Sequence, residues 1–351
     1  LSTPTYRMPA EWAPQSAIML TWPHAGTDWK EVLSDVEPVF HDIAKATLRF
    51  QHVLISCEDA ATLTRIAREL DQYAEANGLP GRVKAVHAPA DDTWARDHGP
   101  ISVLSPTGIR LMDFGFNAWG GKFPCDKDHA LNRNLARQGA FGDMPLDTVD
   151  FILEGGSLES DGQGTLLTTS ECLLTTTRNP TFDRKEIESL LSETLGARQV
   201  LWLNHGYLAG DDTDSHIDTL ARFCGPGHIC YVRCEDVDDE HFDALSAMEE
   251  ELRQFRQLDG SPYRLTPLPW PAPLYDGEGE RMPATYANFL IINGAVLMPV
   301  YDVPEDTEAV RVMAGIFPDR EIIAINCRPL IAQHGSLHCV TMQLPEGVVT
   351  L

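Results

Sequence analysis

Val32, Leu33, Val36, Val39, Phe40, Ile43, Ala44 and Leu48 recur at helical spacing, which predicts an amphipathic helix that Pro38 should kink or divide. Val53-Leu54-Ile55 reads as a short buried strand. A second helix carries Leu63, Ile66, Ala67, Leu70 and Ala74 and stops at Asn77-Gly78, a good C-terminal pair. Residues 83–87 are strand-like and lead into a polar stretch, residues 91–100. Two alternating runs, 101–104 and 109–114, flank Ser105-Pro106-Thr107-Gly108 and predict a hairpin.

The cycle continues downstream. Phe151-Ile152-Leu153 ends at Glu154-Gly155-Gly156-Ser157, and residues 165–169 and 172–176 read as strands. Asn179-Pro180-Thr181 opens a helix with Ile187, Leu190, Leu191 and Leu195 inward and Gly196 as its stop. Strands follow at 200–203 and 229–233, the first ending in the polar loop 210–218. A helix then carries Phe242, Leu245, Met248, Leu252 and Phe255. Runs 289–292 and 295–299 pair across Asn293-Gly294, a type I′ turn signal. The last helix carries Ala309, Val312, Met313 and Ile316. The recurring unit is a strand pair, a helix and a further strand. Polar punctuation at Asp97, Glu154 and His216 recurs at intervals of about 60 residues, which suggests radial repetition about five times in one domain.

Composition narrows the class. The chain has 351 residues, 43% hydrophobic and 23% charged, enough to bury a core. No run of about 18 apolar residues exists to span a membrane, and Leu1-Ser2-Thr3-Pro4 lacks the charged and apolar regions of a signal peptide. The eight cysteines are irregularly spaced without a C-x-x-C. That argues against a disulfide framework or zinc ribbon and fits a reducing cytoplasm. The net charge of −25 argues against nucleic acid or an anionic membrane as partner and is permissive toward a cationic small molecule, although solubility alone explains it equally well.

Against that background, Gln333-His334-Gly335-Ser336-Leu337-His338-Cys339-Val340-Thr341 reads as a turn delivering a thiol to the start of a strand. Such a mouth can hold a nucleophile still while it meets substrate, although a half-buried structural cysteine gives the same pattern. Trp94-Ala95-Arg96-Asp97-His98-Gly99-Pro100 lies between strands and is either site-lining or an exposed turn. Glu154, directly after apolar residues and before two glycines, is either a strand end or a buried, placed carboxylate. His216 and Asp218, two apart in an extended segment, would face one cavity together. A thiol, an imidazole and several acids suit a guanidinium, which is planar, permanently charged and pairs with carboxylates through two parallel hydrogen bonds.

These residues carry a resemblance. Met8-Pro9-Ala10-Glu11-Trp12, Thr21-Trp22-Pro23, residues 94–100, residues 113–122, Glu154-Gly155-Gly156, the 210–218 loop and the Cys339 stretch stand in the order found in the family of agmatine deiminases and Porphyromonas-type peptidylarginine deiminases. The resemblance implies the α/β pentein fold, a five-bladed propeller of ββαβ units around a central site, spanning residues 1–351 as a single catalytic domain. It implies no metal and no organic cofactor. Cys339 would be the nucleophile and His216 the general acid/base. Asp97 and Asp218 would clamp the guanidinium, with Glu154 supporting the histidine or the guanidinium. For agmatine, which would yield N-carbamoylputrescine, Trp94 and Trp119 would wall the methylenes and an acid among Asp211, Asp212 and Asp214 would meet the distal amine. Asn117 falls in the same substrate-binding stretch. A homodimer is the family expectation. The rival readings are a peptidylarginine deiminase, disfavoured by the absence of a visible leader, a noncatalytic guanidinium-binding descendant, and a cysteine hydrolase of amides.

Overall fold

A computed structural model describes residues 6–351; the reading of Leu1-Ser2-Thr3-Pro4 lies outside them. Five separate sheets form, and four share one grammar. In each an antiparallel pair is followed, after a helix, by a strand parallel to the second member. The sets are Ile101–Ser105, Gly108–Gly115 and Leu146–Ile152; Glu159–Ser160, Thr165–Thr169 and Gln199–Leu203; Ala221–Gly225, His228–Val232 and Arg264–Leu268; and Leu290–Ile292, Ala295–Val300 and Glu321–Asn326. Tight turns join the antiparallel pairs, whereas a parallel partner needs a crossover long enough for a helix. The fifth sheet joins the two ends of the chain: Thr341–Pro345 lies antiparallel to Gln15–Thr21, which pairs in parallel with His52–Cys57 and through it with Val83–His87.

The helices form where the apolar spacing places them. Leu33–Leu48 buries Val36, Val39, Phe40, Ile43, Ala44 and Leu48 on one face, each large side chain worth roughly 1.5–3 kcal/mol in area removed from water. Pro38 does not divide it. The proline sits near the N-terminal end, so it removes one intrahelical hydrogen bond while the rest of the ladder stays intact. Ala60–Ala76 starts at Asp59, whose carboxylate accepts from the N–H groups of Ala61 and Thr62. The helix expected from Asn179 begins later, as Arg184–Leu195. Asp183 and Glu186 form a reciprocal capping box there, and Gly196 ends the helix at φ 74°.

Three local expectations are corrected. The 172–176 run is no strand: Ser170–Leu173 is a short helix capped by the Thr169 hydroxyl. Residues Ala95–His98 form a buried helical turn between strands, not an exposed turn. The segment holding His216 and Asp218 is not extended, because Ile217–Thr219 is a 3₁₀ turn. The helix Asp126–Arg137 carried no prediction; its apolar residues are few, and its buried face includes Asp128 and Asn132.

One regularity positions the site. A short segment precedes the first strand of every unit, and each supplies a polar residue: Asp97, Glu154, His216, Asn288 and Cys339. All five are buried. The turn Gly155–Ser157 packs on both Ala95–His98 and Ile217–Thr219, and Ala95–His98 also packs on Thr341–Pro345.

Candidate active site

Gly156 marks the point of convergence. A Cβ placed there would lie 2.6 Å from His216 Nδ1, 2.8 Å from Asp97 Oδ1 and 3.2 Å from Asp218 Oδ2. The three side chains therefore meet at one backbone position, and the 3₁₀ turn brings His216 and Asp218 together as an extended segment was expected to. Asp97 Oδ1 accepts from the Gly156 N–H at 3.0 Å and lies 3.7 Å from His216 Nδ1, while Asp97 Oδ2 accepts from the Trp119 indole at 3.0 Å. Asp218 Oδ2 accepts from His338 Nδ1 at 2.8 Å. Asp218 Oδ1 and His216 Nε2 are buried and have no hydrogen-bond partner among the described residues. Such orphaned groups are costly unless a ligand satisfies them.

Electrostatics set the resting state. Burial pushes the Asp97 carboxyl up to about 6, with Asp218 and Glu154 adding to the rise and His216 opposing it. Burial alone would lower the His216 imidazole, but Asp97, then Cys172 and Glu154, raise it well above its ordinary value. Burial and the neighbouring Asp218 and Asp97 hold the Cys339 thiol well above the usual range. The thiol donates to Asn288 Oδ1 at 3.4 Å, and the same oxygen accepts from the N–H groups of His338 at 2.8 Å and Cys339 at 3.4 Å.

Cys339 and Asp97 open onto a pocket also lined by Asp28, Asp92, Trp94, Trp119, Asp212 and His334. Among the described residues no lysine or arginine lines it. Trp94 and Trp119 meet edge to face, ring centroids 6.2 Å apart, and Trp94 is fixed by its indole donating to Asp92 at 2.8 Å. Gly335 lies against Trp94, where a Cβ would come within 2.1 Å of the ring. Of the six residues other than glycine with left-handed φ among those described, five lie in the loops around this site, Ala118, Trp119, Asp214, Ser215 and His334, and the sixth is Asp302. Backbone strain of this kind persists where the surroundings dictate it.

The structure thus brings Cys339, His216, Asp97 and Asp218 together and places Trp94, Trp119 and Asp212 on the pocket wall. Glu154 is buried beside them and, like His216 and Asp218, is not among the residues that line the pocket. Its two oxygens accept from Arg178 Nε at 2.8 and 3.0 Å, and it lies with Cys172 and His216 in a cluster whose polar atoms are all within 4.8 Å of one another. Asp214 does not reach the pocket. Arg178 takes one of its oxygens at 2.6 Å and Lys122 the other at 3.0 Å, which leaves no free oxygen for an amine. Asn117 also turns away; it accepts from the Gly120 N–H at 2.9 Å and donates to the Thr177 carbonyl at 3.0 Å, which shapes the loop carrying Trp119. Asn288, Arg178, Asp92 and His338 carried no prediction. Asn288 had a signal, since it stands just before the first strand of its unit, as Cys339 does. Arg178 had none, because nothing local marks a buried arginine.

A planar cation held between two carboxylates, beside a thiol and an imidazole, can be attacked at its central carbon. That is the chemistry of enzymes that act on guanidinium groups. The model of the Porphyromonas-type peptidyl-arginine deiminase family matches residues 7–345. An agmatine deiminase of Pseudomonas aeruginosa (strain LESB58) is 34% identical over 363 residues, covering 97% of this chain and 95% of that one. A Porphyromonas gingivalis structure, described provisionally as an arginine deiminase, is 50% identical with a TM-score of 0.91 and covers 98% of this chain and 100% of that one. A Cys-to-Ser variant of C. jejuni agmatine deiminase, solved with substrate bound, is 35% identical with a TM-score of 0.89, covering 98% and 97%. The chain belongs to the Porphyromonas-type peptidyl-arginine deiminase family.

Proposed function

We propose that the protein is an agmatine deiminase, hydrolysing the guanidinium of agmatine to N-carbamoylputrescine and ammonia. The observation that carries this reading is the convergence on Gly156 of Asp97, Asp218 and His216, next to a cysteine in a pocket whose charged side chains are carboxylates. The proposal includes a single catalytic domain over residues 1–351, with the five sheets as blades of a pentein propeller. The entry segments of the five units would then meet at its centre.

In this scheme Asp97 and the free oxygen of Asp218 pair with the guanidinium nitrogens and hold its central carbon toward Cys339 Sγ. The bound cation compensates the two acids that hold the thiol protonated, so the thiol loses its proton to solvent and the sulfur attacks, while His216, held protonated by Asp97, keeps its proton for the leaving nitrogen. A C–S bond forms. His216 delivers a proton to one terminal nitrogen and the C–N bond breaks, releasing ammonia and leaving an amidino-cysteine. Water, deprotonated by His216, then adds to the same carbon, the C–S bond breaks, and the urea product leaves with the thiol restored. Glu154, neutralised by Arg178, braces His216 from behind.

The distal end supports agmatine over arginine. Asp28, Asp92 and Asp212 line the pocket with His334, and among the described residues no lysine or arginine is there to receive a carboxylate. Asp92 already accepts from two indoles, those of Trp29 at 2.8 Å and Trp94 at 2.8 Å, so Asp212 is the acid best placed for the amine. The second reading, an arginine or peptidyl-arginine deiminase, is kept by the 50% identity to the P. gingivalis protein. Ammonia release measured side by side decides between them: agmatine is expected to exceed free arginine and a peptidyl-arginine by at least about 10²-fold in kcat/KM, and activity on the peptide alone would overturn the choice.

The raised Asp97 carboxyl predicts a pH dependence. Guanidinium binding needs the carboxylate, so kcat/KM should fall up to about tenfold per pH unit below about pH 6. The folded state binds this proton more tightly than the unfolded chain, whose aspartate titrates near ~3.9. The parent's stability relative to Asp97→Asn is therefore expected to decline as pH rises from about 4 through about 6. Unfolding midpoints at pH 4 and pH 8 check the sign, and an unchanged difference would contradict it.

A further inference from the structure

The Met8-Pro9-Ala10-Glu11-Trp12 stretch has no place in the chemistry above, yet Glu11 is buried behind the site. Its Oε2 lies 2.7 Å from His338 Nε2, and the other ring nitrogen, Nδ1, lies 2.8 Å from Asp218 Oδ2. Arg222 donates to the same Glu11 oxygen at 3.0 Å, and Glu11 Oε1 accepts from the Ile291 N–H at 2.7 Å. An ionised carboxylate only accepts, so a ring nitrogen facing one at this distance donates. Both His338 nitrogens face carboxylates, so both donate. The alternative, Nε2 accepting from Arg222 Nη2 at 3.0 Å, would set its lone pair against the Glu11 oxygen at 2.7 Å.

The charges agree with that assignment. Glu11, Glu159 and Asp218 are the carboxylates of this buried network, and Arg96 and Arg222 are its guanidiniums. Burial would raise the Glu11 and Asp218 carboxyls, but Arg222, His338 and Arg96 for Glu11, and His338 first for Asp218, hold both below their usual range. The network also reaches the thiol. Arg222 donates to the carbonyls of Ala287 at 3.0 Å and Phe289 at 2.6 Å, on either side of Asn288, which binds the His338 and Cys339 N–H groups.

We propose that His338 is a positioning residue for the deiminase reaction: bridged to Glu11, it fixes one oxygen of Asp218 so that the other is presented to the guanidinium. Glu11 thereby acts on the site from behind, through two hydrogen bonds and without touching substrate. The N-terminal motif becomes part of the catalytic architecture. This inference rests on the reading of Asp218 as a guanidinium ligand.

Glu11→Gln keeps the shape of the side chain and removes its charge. With agmatine as substrate it is expected to lower kcat/KM by about 10-fold, mostly through KM, at unchanged far-UV dichroism, as supporting partners behind a site do. His338→Gln should lower it further, and His338→Gln combined with Asp218→Asn should be no worse than Asp218→Asn alone, since the first change acts through the second. Parent-like kinetics in Glu11→Gln, or fully additive losses in the double variant, would overturn the proposal. Nitrogen NMR of the His338 ring, assigned with His338→Gln, gives a readout independent of turnover: both nitrogens protonated near pH 7 in the parent supports it, and an unprotonated ring nitrogen refutes it. Should the parent release no ammonia from agmatine, the substrate reading fails while the ring signals still decide this one.

Discussion

Cys339→Ala is expected to release no ammonia above background, a fall of at least ~10⁴-fold in kcat, with agmatine binding retained. The retained binding is the informative half. In the proposed scheme Asp97, Asp218 and the pocket wall hold the cation, and none of the hydrogen bonds that fix the two acids runs through Sγ. In the free protein the thiol is held protonated by burial and by Asp218 and Asp97. A cation ~4 Å from a thiolate is worth about 4 kcal/mol at an effective dielectric of about 20, so substrate itself creates the conditions for attack. Mass spectrometry of the parent stopped early in turnover should show a covalent adduct on Cys339, and none on the alanine variant. Calorimetric titration of Cys339→Ala with agmatine, together with an ammonia assay, checks both halves. Turnover in that variant would remove the thiol from the mechanism.

Much of the architecture was legible because the repeating unit leaves strong local signals. The hairpins at 101–114 and 289–299 were marked by turn residues and alternation, and the helices by apolar stripes. What failed locally failed for identifiable reasons. His216-Ile217-Asp218 has no periodicity to separate an extended segment from a 3₁₀ turn, and only the tertiary structure tightens it. Residues 172–176 are apolar and threonine-rich and so read as strand, yet the Thr169 hydroxyl caps a helical turn at Ser170–Leu173. The site divided the same way. Asp97, His216, Asp218 and Cys339 stand at element boundaries in motifs that can be recognised. Whether a carboxylate is free or already paired depends on distant partners: Arg178 and Lys122 occupy Asp214, and the sequence gives no sign of it. Asn288 could have been found by asking which residue the remaining unit places before its first strand.

Gly156→Ala should be strongly damaging, second only to loss of the thiol, although the added methyl carries no chemistry. A Cβ there has to displace His216, Asp97 or Asp218, at 2.6, 2.8 and 3.2 Å. None of the three can swing away freely. Asp97 is tied to the Trp119 indole and the Gly156 N–H, Asp218 to His338, and His216 is sealed in the interior. The alanine keeps the N–H that binds Asp97, so the effect is steric alone. Misplacing the reacting groups by as little as ~1 Å costs on the order of 10²-fold, so a fall of about 10²–10³-fold in kcat/KM is expected. Overpacking should cost about 1–3 kcal/mol of stability, which a denaturant midpoint would register without loss of the fold. Gly225→Ala is the matched control, since a Cβ there meets nothing within 4 Å, and it should retain full activity. Gly156→Ala activity within threefold of the parent would mean that the three side chains do not need the positions in which Gly156 allows them to meet, and the convergence on which the assignment of function rests would lose its force.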